Sequence, residues 1–177
     1  MALCRDIVIA CDDARIGTPC SRMWGCHHAG MWVHRLGLAK TKELALTGRS
    51  VSGREAAEIG LINKSVPFER LEAETQKLAR ELATIPLSQL AAMKLIVNQA
   101  YENMGLHSTQ LLGSVMDGML RNRPEALAFI KLAKEKGVTA AVAERDGPFG
   151  DYSQAGEDGK PDPTHVISIA PAKPGAG

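Results

Sequence analysis

The sequence predicts an α+β fold, a small mixed unit followed by a helical half. Two observations carry this. Short apolar, β-branched runs punctuated by glycine-rich turns fill the first part of the chain. After Pro67, apolar residues recur at the helical period and prolines fall where helices start or stop. The expected divisions are 1–66 for the mixed unit, 67–152 for the helices and 153–177 for a Gly/Pro-rich, disordered tail.

Ile7-Val8-Ile9-Ala10 reads as a buried strand, and Ala14-Arg15-Ile16 as a second short one after the Asp12-Asp13 turn. Thr18 to Gly30, rich in Gly, Pro, Cys and His, reads as loop. A helix follows from Met31 to Leu46, interrupted near Gly37, with Gly48 placed as its C-terminal cap. Ser52-Gly-Arg-Glu55 is a capping box: the Ser hydroxyl takes the Glu55 amide while Glu55 reaches back to the Ser52 amide. The short helix Arg54–Ile59 stops at Gly60, and Leu61 to Val66 reads as strand. Phe68, Leu71, Thr75, Leu78, Ala79 and Leu82 then form one helical face. Pro86 ends that helix. The next two run from Leu87 to Asn103 and from Leu106 to Arg121, the latter with Leu112, Val115, Met116 and Met119 expected inward. Pro124 suits the first position of another helix, with Leu127, Ile130 and Ala133 inward and Gly137 at its end. A last short helix reaches Glu144.

Composition excludes several classes. The 177 residues carry 21 basic and 20 acidic side chains, a formal net charge of +1. That balance gives no electrostatic footprint for nucleic acid or an anionic membrane. Aromatics are 4% of the chain, too few for base-stacking platforms. No stretch approaches the ~20 apolar residues needed to span a bilayer. The first residues, MALCRDIVIACDD, are broken by Arg5 and Asp6 and do not read as a signal peptide. Four cysteines without such a signal fit a reducing, cytoplasmic setting. The chain enters a strand almost at once. This suits either a protein that begins inside a sheet or one lacking an upstream part.

Four segments, in order and at matching spacing, carry a resemblance: Asp6–Ala10, then Ala14-Arg-Ile-Gly-Thr-Pro19, then Arg35-Leu-Gly37 through Ala39 to Gly48, then Glu55-Ala-Ala-Glu-Ile-Gly-Leu61. Together they resemble the enoyl-CoA hydratase/isomerase family, the crotonase superfamily, over roughly residues 3–152. The resemblance implies a spiral of stacked ββα turns, of which this chain is the C-terminal part, followed by a helical trimerisation region. It implies homotrimers or homohexamers, acyl-CoA thioesters as ligands, and no cofactor beyond the coenzyme A of the substrate. It also implies stabilisation of a thioester enolate by two backbone N–H groups, with two glutamates handling water and the α-proton in hydratases. The segments that hold both N–H groups and the first glutamate fall before Met1, so the chain resembles a truncated member. The second glutamate position maps onto Cys20.

Gly17 to Gly37 holds Cys20, Cys26, His27, His28, His34, Trp24 and Trp32, and three readings compete for it. As a metal site it has ligand types but neither a C-x-x-C nor an H-x-x-x-H pair, so none is expected. As a nucleophilic site it offers Cys20 with His27 or His28 as base, and Arg22 nearby to favour the thiolate. As a pocket wall, which answers the pattern best, Pro19, Trp24, Gly25, Met31 and Trp32 would line an acyl group, with His28 an acid or base. The resemblance further implies that Arg145 and Phe149 touch the coenzyme A of a neighbouring subunit. A packed Phe and a solvated Arg are the alternative. Three functions stay open: a family enzyme missing its N-terminal half; a catalytically inactive CoA-binding or oligomerisation subunit; and thiol-dependent acyl transfer through Cys20.

Overall fold

The computed structural model describes residues 4–149, excepting the side chains of Cys20, His28 and Ala29. The expected tail lies outside the described residues. The mixed unit is built from four very short strands. β1 (Ile9–Cys11) pairs in parallel with β4 (Lys64–Val66), Ile9 opposite Lys64 and Cys11 opposite Val66. β2 (Arg15–Ile16) pairs antiparallel with β3 (Val51–Ser52). Only the last three residues of the expected 61–66 strand join the ladder. Leu61 and Ile62 instead close a turn, their amides donating to the Ala56 carbonyl.

The loop expected from Thr18 to Gly30 contains two 3₁₀ turns, Pro19–Arg22 and Cys26–Met31. α1 (Val33–Thr47) follows, broken at Gly37, whose φ of 70° and ψ of 176° are not helical. Gly48 caps it in the left-handed region (φ 67°), its amide donating to Leu44 O. α2 (Gly53–Glu58) begins where Ser52 Oγ accepts the Glu55 amide at 3.1 Å. The carboxylate of Glu55 accepts from Arg49 at 2.9 Å and 3.3 Å.

α1, α2 and the β-strands enclose the core, where Val8, Trp32, Leu44, Val51, Leu61 and Ile62 are buried. Ala56, fully buried, lets α2 sit close against it.

The helical half consists of α3 (Leu71–Ala83), α4 (Leu87–Asn103), α5 (Leu106–Leu120), α6 (Pro124–Lys136) and α7 (Val138–Asp146). Each break matches its punctuation: Pro86, Gly105 (φ 88°), Pro124 and Gly137. The expected inward faces are corrected. On α5, Leu112, Val115, Met116 and Met119 are 39–64% exposed, and Phe68 before α3 is 74% exposed. Leu127 and Ile130 of α6 are exposed too. α5 instead turns Thr109, Gly113 and Asp117 toward the Cys26–Met31 turn. These residues lie four apart on one helical face. A Cβ on Gly113 would stand 2.7 Å from His27 Cα, so only glycine allows this approach. Among the described residues, no helix is long and apolar enough to cross a membrane.

Candidate functional site

The dense stretch becomes the seam between the two halves. Its local folding starts from Gly25, which adopts φ 89° and is buried. The turn this permits points its amide at Oδ1 of Asp117, with which it forms a hydrogen bond. Asp117 is 5% exposed. The Gly25 amide, then the Arg121 guanidinium at 3.0 Å, and His27 hold its carboxyl below the ordinary carboxylate range. His27 Nδ1 stands 3.9 Å from the same carboxylate, too far for a hydrogen bond but close enough for attraction when the imidazole is protonated.

Trp24 is held by the helices. Its ring meets Phe129 of α6 edge-on, centroids 5.2 Å apart at 87°, and the Arg121 guanidinium lies 5.6 Å from its centroid. Trp32 is 5% exposed inside the core cluster. The structure thus places both tryptophans in packing contacts. Met31 packs against the same core, with Cys4 Sγ 3.9 Å from its Sδ. Pro19 opens the first 3₁₀ turn, which carries Cys20 in its backbone. The side chains of Cys20 and His28 lie outside the described residues, so the nucleophile and acid–base assignments receive no geometry. Elsewhere, burial and then the Asp13 carboxylate push the Cys11 thiol above its ordinary value, the reverse of an activated thiol. Among the described residues, no three of His, Cys, Asp and Glu come together as a metal set.

A second anchor lies at the end of α7. Asp146 is fully buried. It accepts from Arg145 Nε and Nη2 at 2.8 and 2.7 Å and from Arg22 Nη1 at 3.2 Å. Arg22 also donates through Nε to Thr47 O at 3.0 Å, and its guanidinium lies 3.8 Å from the Phe149 ring centroid. Arg145 and Phe149 are therefore both engaged within the chain. A groove of about 510 Å³ opens between α6 and α7, with Met23, Phe129, Leu132 and Arg145 among its lining. Glu125, Lys131, Glu135 and Glu144 also line it.

Sequence reasoning missed Asp117 and Asp146. An aspartate on a helix reads as solvated. The signal for Asp117 was the Thr109–Gly113–Asp117 spacing, a small-residue path on an otherwise apolar helix. Nothing local marks Asp146, since its partner Arg22 is 124 residues away.

Comparison with known proteins follows the same outline. The model of the enoyl-CoA hydratase/isomerase family matches residues 1–146. A Dictyostelium discoideum protein named "Probable enoyl-CoA hydratase, mitochondrial" is 34% identical over 105 residues, 58% of this chain and 38% of its own length. The 1,2-epoxyphenylacetyl-CoA isomerase of Escherichia coli (strain K12) is 32% identical over 152 residues, 84% of this chain and 55% of its own. A crystal structure of enoyl-CoA hydratase from Mycobacterium smegmatis superposes with a TM-score of 0.81 at 42% identity, covering 84% of this chain and 51% of that one. The chain thus spans 38–55% of the length of these relatives.

Proposed function

Because this chain belongs to the enoyl-CoA hydratase/isomerase family, we propose that it binds acyl-CoA thioesters and supplies the C-terminal half of an enolate-stabilising enzyme. The proposed reaction is hydration of a 2-enoyl-CoA in fatty-acid-type breakdown. Water adds its hydroxyl to C3 and a proton to C2, through an enolate whose oxygen two backbone N–H groups hold. The observation that carries this reading is the family match over residues 1–146, which spans the whole seam and the helices behind it. The Gly17–Gly37 segment would flank the acyl group. By the resemblance, both oxyanion amides and the first acid lie upstream of Met1, so turnover requires a polypeptide that includes them.

A second reading is an assembly subunit without turnover. Its assembling role rests on the apolar surface left on α4 and α5, where Leu95, Ile96 and Leu111 are 60–69% exposed. A homotrimer or homohexamer that covers this surface is part of both readings. The test is an intact mass of the native polypeptide, followed by crotonyl-CoA hydration read as loss of the conjugated thioester absorbance. A mass well above 18.9 kDa with turnover supports the enzyme. A mass of 18.9 kDa, with CoA binding but no turnover, replaces it by the second reading.

A further inference from the structure

We propose that Asp117 is a positioning residue for the Trp24–Met31 segment, holding it in shape through the Gly25 amide. The proposal rests on the reading of that segment as a flank of the acyl group. It goes beyond that reading in naming a residue from the far end of the chain, 92 positions away.

The argument begins with what Asp117 touches. Its carboxylate is buried, and its partners are the Gly25 amide, the Arg121 guanidinium and the His27 ring. Two of the three belong to the segment itself. A buried carboxylate without such donors would be strongly unfavourable, so the turn and the aspartate require each other. Gly25 has φ 89°, a conformation open to glycine and rare for any other residue, so the sequence permits the turn here. The amide that it presents has no helix or strand to satisfy it, and Asp117 does so.

The surrounding contacts fix the direction of this hold. Gly113 admits the His27 backbone, and Gly30 faces Thr109 so closely that a Cβ would lie 2.4 Å from its Cγ2. The segment is therefore pressed against α5 at His27 and Gly30 and pinned at Gly25. Arg121 pairs with Asp117 on one side and faces the Trp24 ring on the other. One helical turn thus sets both the backbone of Gly25 and the ring of Trp24. Asp117 touches no reacting atom in this arrangement. It acts through the segment.

The test uses the 177-residue chain with Asp117→Ala and Asp117→Asn, and crotonyl-CoA as the probe. Nitrogen-15 NMR reads the Gly25 amide and the indole N–H signals of the two tryptophans. Trp32, in the core, reports global folding, and Trp24 reports the segment. Asp117→Ala should move and broaden the Gly25 and Trp24 signals while Trp32 stays in place, and weaken crotonyl-CoA binding about tenfold. Asp117→Asn keeps an oxygen acceptor for the Gly25 amide and should restore most of both. Wild-type Gly25 and Trp24 signals in Asp117→Ala overturn the proposal. So does an Asp117→Asn as disturbed as Asp117→Ala, which would assign the effect to charge or to folding. If the wild-type chain binds no crotonyl-CoA, the acyl-CoA reading fails. The order of the Gly25 and Trp24 signals across the variants then decides the positioning role on its own.

Discussion

Asp146→Ala should detach the end of the chain from the mixed unit. Asp146 is 0% exposed, and its two arginine partners have side chains 5% and 12% exposed. Removing the carboxylate takes from two buried guanidinium groups the anion that they share. Breaking a buried pair in this way costs about 3–5 kcal/mol. A chain of this size loses roughly 2–4 °C of melting temperature per kcal/mol, so the midpoint should fall by about 6–20 °C. The loss should be local as well as global. α7 and the Gly147–Phe149 turn gain much of their hold from this cluster, so limited proteolysis should open near Gly137 before the core is cut. Circular dichroism melts and timed trypsin digestion measure the two effects. The double variant Arg22→Met with Asp146→Leu removes one cation together with the anion and replaces both by apolar volume. It should recover part of the loss, since the cluster has no intrinsic advantage over a packed core. A melting midpoint for Asp146→Ala within the range of an exposed pair, under about 1 kcal/mol, would refute the claim that this cluster is dry and coupled.

Two further outcomes follow from the same structure. Gly53→Ala places a Cβ 1.9 Å from the Cys11 carbonyl oxygen, where α2 crosses β1, and should destabilise by about 1–3 kcal/mol or more. Gly118→Ala, where a Cβ meets nothing within 4 Å on α5, should instead stabilise by about 0.5–1 kcal/mol; paired urea melts check both. The carboxyl of Asp117 is lowered in the folded chain, first by the Gly25 amide. Its stabilisation is therefore complete above the ordinary carboxylate range and is lost as pH falls through that range toward the folded value. The stability advantage of wild type over Asp117→Asn should hold from pH 7 to about 4 and shrink below it. A constant advantage down to pH 2 would sink this assignment.

What the sequence by itself determined is the punctuation. Pro86, Pro124, Gly48, Gly137 and the Ser52 cap act through their own backbone and nearest neighbours, so their effects are readable one residue at a time. The break at Gly37 and the order of helices α3 to α7 were legible for the same reason. The family resemblance was legible because its motifs, too, are short and local. The strand ends were not, because β1 gains its ladder from β4, which is 55 residues away. Helix orientation was not either. Hydropathy marked Leu112, Val115 and Met119 of α5 as inward, yet the neighbouring turn could approach only over Thr109 and Gly113. Close backbone approach selects small residues and leaves the larger apolar ones outside. Asp117 and Asp146 illustrate the limit most clearly. A carboxylate can be buried only where donors converge on it: Arg121 and Arg145 are sequence neighbours of the two aspartates, but Gly25 and Arg22 reach them only once the two halves are folded together.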